Sequence, residues 1–478
     1  MGARRPAYIS RLRDRERTMN KKRGQRETAG KAASGANFTR RQALAAGLGL
    51  AAGLYGAKAQ AQEWWQQIPG FASYSYPDQR DRRPRTPAQA DVLDDLREGT
   101  TPMRSQEMLN AMSDAINRVQ RVVADGGWPT IPGTRMIRPG DEDDRVPMVR
   151  RVLVLWGDMR PQGGFRSLVL DSETEAGLRR FQSRHGLRVS GRVDRPTLQA
   201  LNVPPAARLA QLQMNYHRIR DLLSLKLDDR YVLVNVPGFQ AEAVSRNAVE
   251  ERHRVIAGKP DRQTPVVTAN IRALNFFPFW RVPESIANLD VIPRLVKEPE
   301  YLQKEHIRVL TGSFVGPEID ATNIDWRTVD AKNLRFRQDP GPHNALGLVR
   351  IDMPNEHGVY MHDTPMKPLF EQRSRAFSAG CVRVQGVFDL AAWIARDEPG
   401  MSRERVEQIL QGGQAVDITL TRPIPVAFAY VTAWVEEDGR IIFRPDIYGK
   451  DQVRELASDR EREHDPDAPP MPRETLAP

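Results

Sequence analysis

"RYVLVNVPGF", residues 230–239, is where the 478-residue chain changes character. Val232, Val234 and Val236 alternate with their neighbours, and branched side chains on a period of two suit a pleated strand. Similar short runs follow: "HRVIAG" (253–258), "VVTANIRALNF" (266–276), "LGLVRIDM" (346–353), "HGVYMHD" (357–363), "AVDITL" (415–420), "VAFAYVTAWV" (426–435) and "IIFRP" (441–445). Helical intervals are fewer, at "SIANLDVIPRLVK" (285–297) and "VFDLAAWIARD" (387–397). Strands in the majority, with helices between some of them, predict a β-rich α+β domain over 229–450. Within it, 298–342 is polar, irregular and longer than an ordinary connection, the form of a lid or substrate loop.

Upstream the period is helical. "QEMLNAMSDAINRVQRVVA" (106–124) sets Met108, Leu109, Met112, Ile116, Val119 and Val123 near one stripe, and "PAARLAQLQMNYHRIRDL" (205–222) does so with Leu209, Leu212, Tyr216 and Ile219. These two helices are expected to pack together. Between them, 145–203 reads as a compact unit of three short helices. The first carries Val149, Val152, Leu153 and Trp156 on one stripe. The second has Ser172 and Glu175 at capping-box spacing, Leu178 and Phe181 facing inward, and Gly186 at its end. The third has Asp194 as N-cap and Pro196 in its first turn. The expected architecture is multidomain: a small three-helix domain inserted in a helical scaffold (102–144 and 204–228), followed by the β-rich domain.

The ends have other compositions. "ALAAGLGLAAGLYGA" (43–57) follows the pair Arg40 and Arg41 and precedes an A-x-A pattern at Ala59 and Ala61. Basic region, weak apolar core and small-residue cleavage site make an export signal of the twin-arginine type, with an N-terminal extension over 1–61. Within it, 1–37 is either a disordered native tail or an over-extended start, with Met19 as the true one. No run reaches the roughly 20 apolar residues of a spanning helix, so no membrane span is expected once the signal is removed. Residues 62–101 read as a linker and 451–478 as a disordered, Pro-rich tail. The formal charge of +10 points toward nucleic acid until it is located. Residues 1–61 hold 14 Lys/Arg against 3 Asp/Glu, which leaves 57 against 58 in the remainder, so no nucleic-acid partner is expected.

The chain has one cysteine, Cys381, in "RAFSAGCVRVQG" (375–386). In an exported chain a lone thiol is either a buried small hydrophobe or a reactive group. A nucleophilic thiol needs a base or a lowered pKa. His357 and His362 lie upstream as the nearest candidates, and His362 falls at the end of an alternating run, where a rigid element can present it. Ser378, Ala379 and Gly380 are small enough to admit a substrate backbone, and Gly380 lets the chain bend so that nearby amides meet a developing oxyanion. Arg383 can hold a carboxylate or lower the thiol pKa, or it can close a structural ion pair. No Cys/His spacing suits a metal, and "AGKPDRQT" lacks the order of a phosphate loop, so neither metal nor cofactor is inferred.

Two resemblances add to this. "LDSETEAGLRRFQSRHGLRVSGRVDRPTLQALN" resembles a peptidoglycan-binding module through Thr174, Phe181, Gln182, Gly186, Leu187, Gly191, Asp194, Thr197, Ala200 and Leu201. These are mostly core and turn positions, so a three-helix spacer that binds nothing stays open beside the binding reading. "HDTP" followed by "SAGCVRV" resembles the signature of the L,D-transpeptidase (YkuD-type) family, as do "VIAGKPDRQTPVV", "FFPFWRVPESIA" and "DPGPHNALGLVRIDMPN". The likeness is greatest to large periplasmic members with a wall-binding module and a lid.

The resemblance implies that Cys381 is the acylated nucleophile and His362 its base. Gly380 and Cys381 amides become oxyanion candidates, and Ser378, Arg383 and Tyr360 supporting residues. It implies peptidoglycan stem peptides as donor and acceptor, release of D-Ala, an L,D crosslink and a place in the periplasm against the wall. Hydrolysis by the same Cys and His, attachment of a protein to the wall, and a wall-binding protein with a dead site remain open. Two departures stand out: Ala379 replaces a second His found in many smaller members, and Asp363 follows His362 where those often have Gly. Under this resemblance His357 and His343 are surface or structural, and Trp280 lines the cleft or belongs to the core. The sequence sets no oligomeric state.

Overall fold

The computed structural model describes residues 95–161 and 166–453. The expected export signal, most of the linker and the tail beyond Val453 lie outside them. Helix α1 (Gln106–Ala124) starts at Ser105, whose Oγ accepts the Met108 amide at 3.1 Å. It packs, as expected, against α5 (Pro205–Ser224) through Met108, Met112, Val119, Leu212 and Ile219, all buried. The same core takes in Trp434, Ile442 and Phe443 of a hairpin made by β13 (Ala433–Val435) and β14 (Ile441–Phe443), so the scaffold helices rest on the β-rich part of the chain.

Between them lie α2 (Val146–Trp156), α3 (Ser172–Arg184) and α4 (Arg195–Leu201), around Val149, Leu153, Leu178, Phe181 and Leu201. Asp194 caps α4 as expected. The cap of α3 differs from the expected Ser172–Glu175 box. Asp171, one position earlier, accepts the Thr174 amide at 2.9 Å, which places Ser172 inside the first turn and leaves Glu175 to pair with Arg179. This core also reaches back to Ile131 and Ile137, upstream of position 145, because Ile137 bridges to Val193 and Glu142 to Val169.

From Arg230 the chain builds a mixed sheet from β1 (Arg230–Asn235), β2 (Gln240–Ser245), β3 (Ala248–Gly258), β4 (Val267–Phe276), β8 (Val349–Asp352), β9 (Met361–His362), β10 (Ala376–Ser378), β11 (Val382–Val384) and β12 (Val416–Ala429). These nine strands lie in the order β10-β3-β11-β9-β8-β4-β12-β1-β2. β2 also pairs with β3, so the pairings close on themselves. Helix α6 (Val387–Ala395) follows β11 and is apolar nearly all round, with Phe388, Leu390 and Trp393 buried, and α7 (Arg403–Gly412) lies beside it.

The stretch expected to be irregular over 298–342 is instead organised. β5 (Trp280–Arg281), β7 (Leu334–Gln338) and β6 (Ile307–Thr311) form a separate three-stranded sheet. Its core of Trp280, Tyr301, Val309, Trp326 and Phe336 also takes in the broken helix made of Glu284–Ile286, the π-helical Ala287–Val291 and Ile292–Leu295. Irregular chain is confined mainly to the turns between Gly312 and Asn333. Residues 95–101, inside the expected linker, are likewise packed: Arg97 donates to Glu242 at 2.7 Å with both side chains buried. Asp451, the first residue of the expected tail, is buried and accepts from Gln211, Thr432 and Arg218.

Candidate active site

Register creates the site. β9 and β11 run parallel, with Met361 opposite Val382 and His362 opposite Arg383, and the Val382 amide donates to the Tyr360 carbonyl at 3.0 Å. Side chains alternate across a strand and paired residues share a face. Met361, Val382 and Val384 therefore point into the core, and each is fully buried. Tyr360, His362, Cys381 and Arg383 come together on the other face. His362 and Cys381 belong to separate stretches of the sequence, and the parallel pairing closes that gap.

Cys381 is 8 % exposed, and its sulfur faces the Tyr360 amide and hydroxyl. Burial pushes the thiol up to about 11, against the lowering effect of the Tyr360 donors and of the Arg383 and Arg350 cations. Tyr360 remains a neutral phenol, its pKa raised well above the ordinary value by burial and then by the neighbouring thiol. Its ring meets His362 edge-on at 5.7 Å and carries the Arg350 guanidinium at 5.1 Å.

His362 is wholly buried. Its Nδ1 donates to the Asp363 carbonyl at 2.5 Å; its Nε2 makes no hydrogen bond of good geometry, and the Leu346 backbone also faces the ring. Burial, then the Arg383 cation, lower its pKa to about 3. The ring is thus a neutral imidazole with its proton on Nδ1 and its lone pair on Nε2, the tautomer a general base requires.

The turn before Cys381 is fixed from behind. Ser378 Oγ donates to the Cys381 carbonyl at 2.5 Å and accepts the Gly380 amide at 3.2 Å. That amide, expected to face an oxyanion, therefore holds the turn instead, and of the two expected donors the Cys381 amide remains. Gly380 has φ +120°, a conformation side chains rarely adopt. Its carbonyl accepts Thr264 Oγ1 at 2.9 Å, and Thr264 Oγ1 accepts the Gly258 amide at 2.8 Å. Tyr448 closes this support, donating its hydroxyl to the Gly258 carbonyl at 2.7 Å. A Cβ on Gly258 would lie 2.1 Å from the Arg262 carbonyl oxygen, so only glycine fits that turn.

Asp363 has a clear task. It is buried, accepts the Leu348 amide at 3.0 Å and pairs with Lys367, which locks the segment entering β8 against the one leaving β9. Ala379 and Tyr360 pack on the separate small sheet, which brings that sheet to the edge of the site. Trp280 lies in that sheet's core, and its indole N–H faces the Tyr360 hydroxyl without reaching hydrogen-bond geometry. His343 packs against His306 with tilted rings, centroids 4.0 Å apart, and His357 lies in an exposed turn beside Glu356. Among the described residues no cluster of three His, Cys, Asp or Glu side chains could hold a metal, and no helix is long and apolar enough to cross a membrane.

Residues 229–413 match the family model described as "L,D-transpeptidase catalytic domain". Over this region the chain is similar to that family. Residues 159–201 match a second model, "Putative peptidoglycan binding domain". A curated relative named "Putative L,D-transpeptidase", from Haemophilus influenzae, is 32 % identical over 248 residues, which covers 52 % of this chain and 49 % of the relative. The chain thus spans about half the length of that relative. Among solved structures, an L,D-transpeptidase from Stackebrandtia nassauensis aligns over 63 % of this chain and 97 % of its own, at 13 % identity and a TM-score of 0.23. L,D-transpeptidase 1 of Mycobacterium tuberculosis aligns over 42 % of this chain and 62 % of its own, at 10 % identity and a TM-score of 0.16. Overlaps this low do not bear on the fold.

Within the matched region and just beyond it, Thr264, Tyr448, Arg350 and Asp363 escape a reading of the sequence as parts of the site. Thr264 stands far before Cys381 and Tyr448 far after it, and no local pattern joins either to it. Asp363 was visible only as a departure from smaller members' His-Gly.

Proposed function

We propose that this chain is a peptidoglycan L,D-transpeptidase in which Cys381 is the nucleophile and His362 the base. The observation that carries the reading is the β9–β11 register, which sets a buried thiol and an imidazole whose Nε2 makes no hydrogen bond of good geometry on one face of a region similar to that family. The thiol sits high and the imidazole low, so the resting pair is neutral and the proton leaves sulfur as sulfur attacks. The carbonyl attacked belongs to the diamino acid of a tetrapeptide stem. A C–S bond forms, the C–N bond to D-Ala breaks, and the proton taken by His362 passes to the departing amine. An acceptor amine then attacks the thioester, the C–S bond breaks, an amide forms and the thiol regains its proton. The Cys381 amide and the Tyr360 hydroxyl are the donors nearest the developing negative charge, and Arg383 stabilises it from the same face.

The 159–201 match supports a module that holds the wall, and residues 40–61 support export by the twin-arginine route to the periplasm. We assign 131–203 to the module, 102–130 and 204–228 to the scaffold, and 229–450 to the catalytic domain, with the small sheet around 298–342 as its lid. Incubation with tetrapeptide muropeptides tests the reaction. Crosslinked dimers and free D-Ala are the expected products; shortened monomers alone would make the chain a hydrolase.

A further inference from the structure

The module is clamped to the rest of the chain through one face. Arg184, at the end of α3, has its side chain 2 % exposed and holds Asp158 at 2.6 Å. The same guanidinium donates to the Ile441 carbonyl of β14 at 3.2 Å and lies 4.7 Å over the Trp156 ring. His185 is stacked between Phe181, at 3.9 Å, and Phe443, at 5.2 Å, and Trp156 meets Phe443 at 5.4 Å. Bonds also run the other way. Arg444 donates to the Arg184 carbonyl at 3.2 Å, and Arg373 donates to the Leu187 carbonyl at 3.1 Å. Arg373 lies between His362 and Cys381 in sequence, so one of these contacts starts from the segment that leads to the nucleophile.

This is a desolvated joint: stacked rings and charged donors to backbone carbonyls cross it, and the buried Arg184–Asp158 ion pair within the module holds one of those donors in place. A tethered module that only recruits its target needs nothing of the kind, because a flexible linker gives a high effective concentration without fixed geometry. We propose that Arg184 and Arg373 are positioning residues that fix the module's angle to the catalytic cleft, so that a wall strand held by the module's open face meets Cys381 in one orientation. Polymeric wall is then processed better than free stem peptide, and the difference resides in the joint. The proposal rests on the transpeptidase reading above.

The test compares two substrates in Arg184→Ala and Arg373→Ala. Turnover of a soluble tetrapeptide stem and sedimentation with purified sacculi should stay within about twofold of the parent chain, while crosslinking of sacculi falls at least about tenfold. Arg184→Lys, which keeps a cation for Asp158, should recover part of the loss. Sacculus crosslinking that is unchanged, or that falls only in step with soluble turnover or with sedimentation, overturns the proposal. If Arg184→Ala does not fold, Arg373→Ala carries the comparison, since Arg373 is half-buried at the edge of the joint. Failure of the parent chain to acylate Cys381 at all would instead refute the underlying reading.

Discussion

His362 carries the most consequential charge state in the molecule. A histidine buried neutral binds fewer protons folded than unfolded, so its contribution to stability is complete above its ordinary pKa of 6.5 and is lost as pH falls toward about 3. The melting temperature should therefore drop as pH is lowered through that window, and less steeply in His362→Gln. Cys381 acts at the other end. Its raised pKa makes the folded state lose stability as pH rises from about 9 through about 11. Because neither group titrates between these windows, the rate of Cys381 acylation should be flat from about pH 7 to 8.5. An inflection inside that range would show that the pair does not rest neutral. Gly380→Ala places a side chain at φ +120° and should cost about 1–3 kcal/mol of stability, measured by denaturant unfolding, as well as slowing acylation.

Among the elements, the turn at Gly380 and Cys381 depends on the loop over 258–264. Thr264→Val leaves the Gly380 carbonyl and the Gly258 amide without their shared hydroxyl, which should cost about 1–3 kcal/mol and slow acylation in parallel. The helices and longer strands of this fold were legible because periodicity needs length: α1, α5, β1 and β4 each carry enough turns or alternations to show it. Not every short element was. β5 is too brief for any period, and the small sheet's β6 and β7 are separated by a long run of turns, so the region read as irregular chain, whereas β9 showed through the alternation of the residues that lead into it. The α3 cap was misplaced by one position because Asp171 and Ser172 are both good caps, and local spacing alone cannot rank them. At the site, Cys381 and His362 were legible from residue type and order. Their supports were not, because Thr264, Tyr448 and Arg350 reach it through the folded sheet rather than sequence proximity.

At the scale of the whole molecule, the segment before α1 is a structural strap. Arg97 and Glu242 form a buried ion pair, and Glu242 also accepts the Met103 amide at 3.0 Å. Removing one partner of such a pair leaves a buried charge. Glu242→Gln should destabilise the chain by about 3–5 kcal/mol, read as a lower midpoint in denaturant, while the adduct at Cys381 still forms in the folded fraction. The scaffold helices and β13–β14 share a core, and the three-helix unit is clamped to the same hairpin, so the three-helix unit and the β-rich domain are built as one piece.

The most direct measurement is the intact mass of the chain after incubation with a β-lactam or a tetrapeptide stem. A single adduct should map to Cys381, vanish in Cys381→Ala and form at least about a hundredfold more slowly in His362→Gln. An adduct that persists in Cys381→Ala, or its absence from the parent chain, would contradict the assignment of the nucleophile.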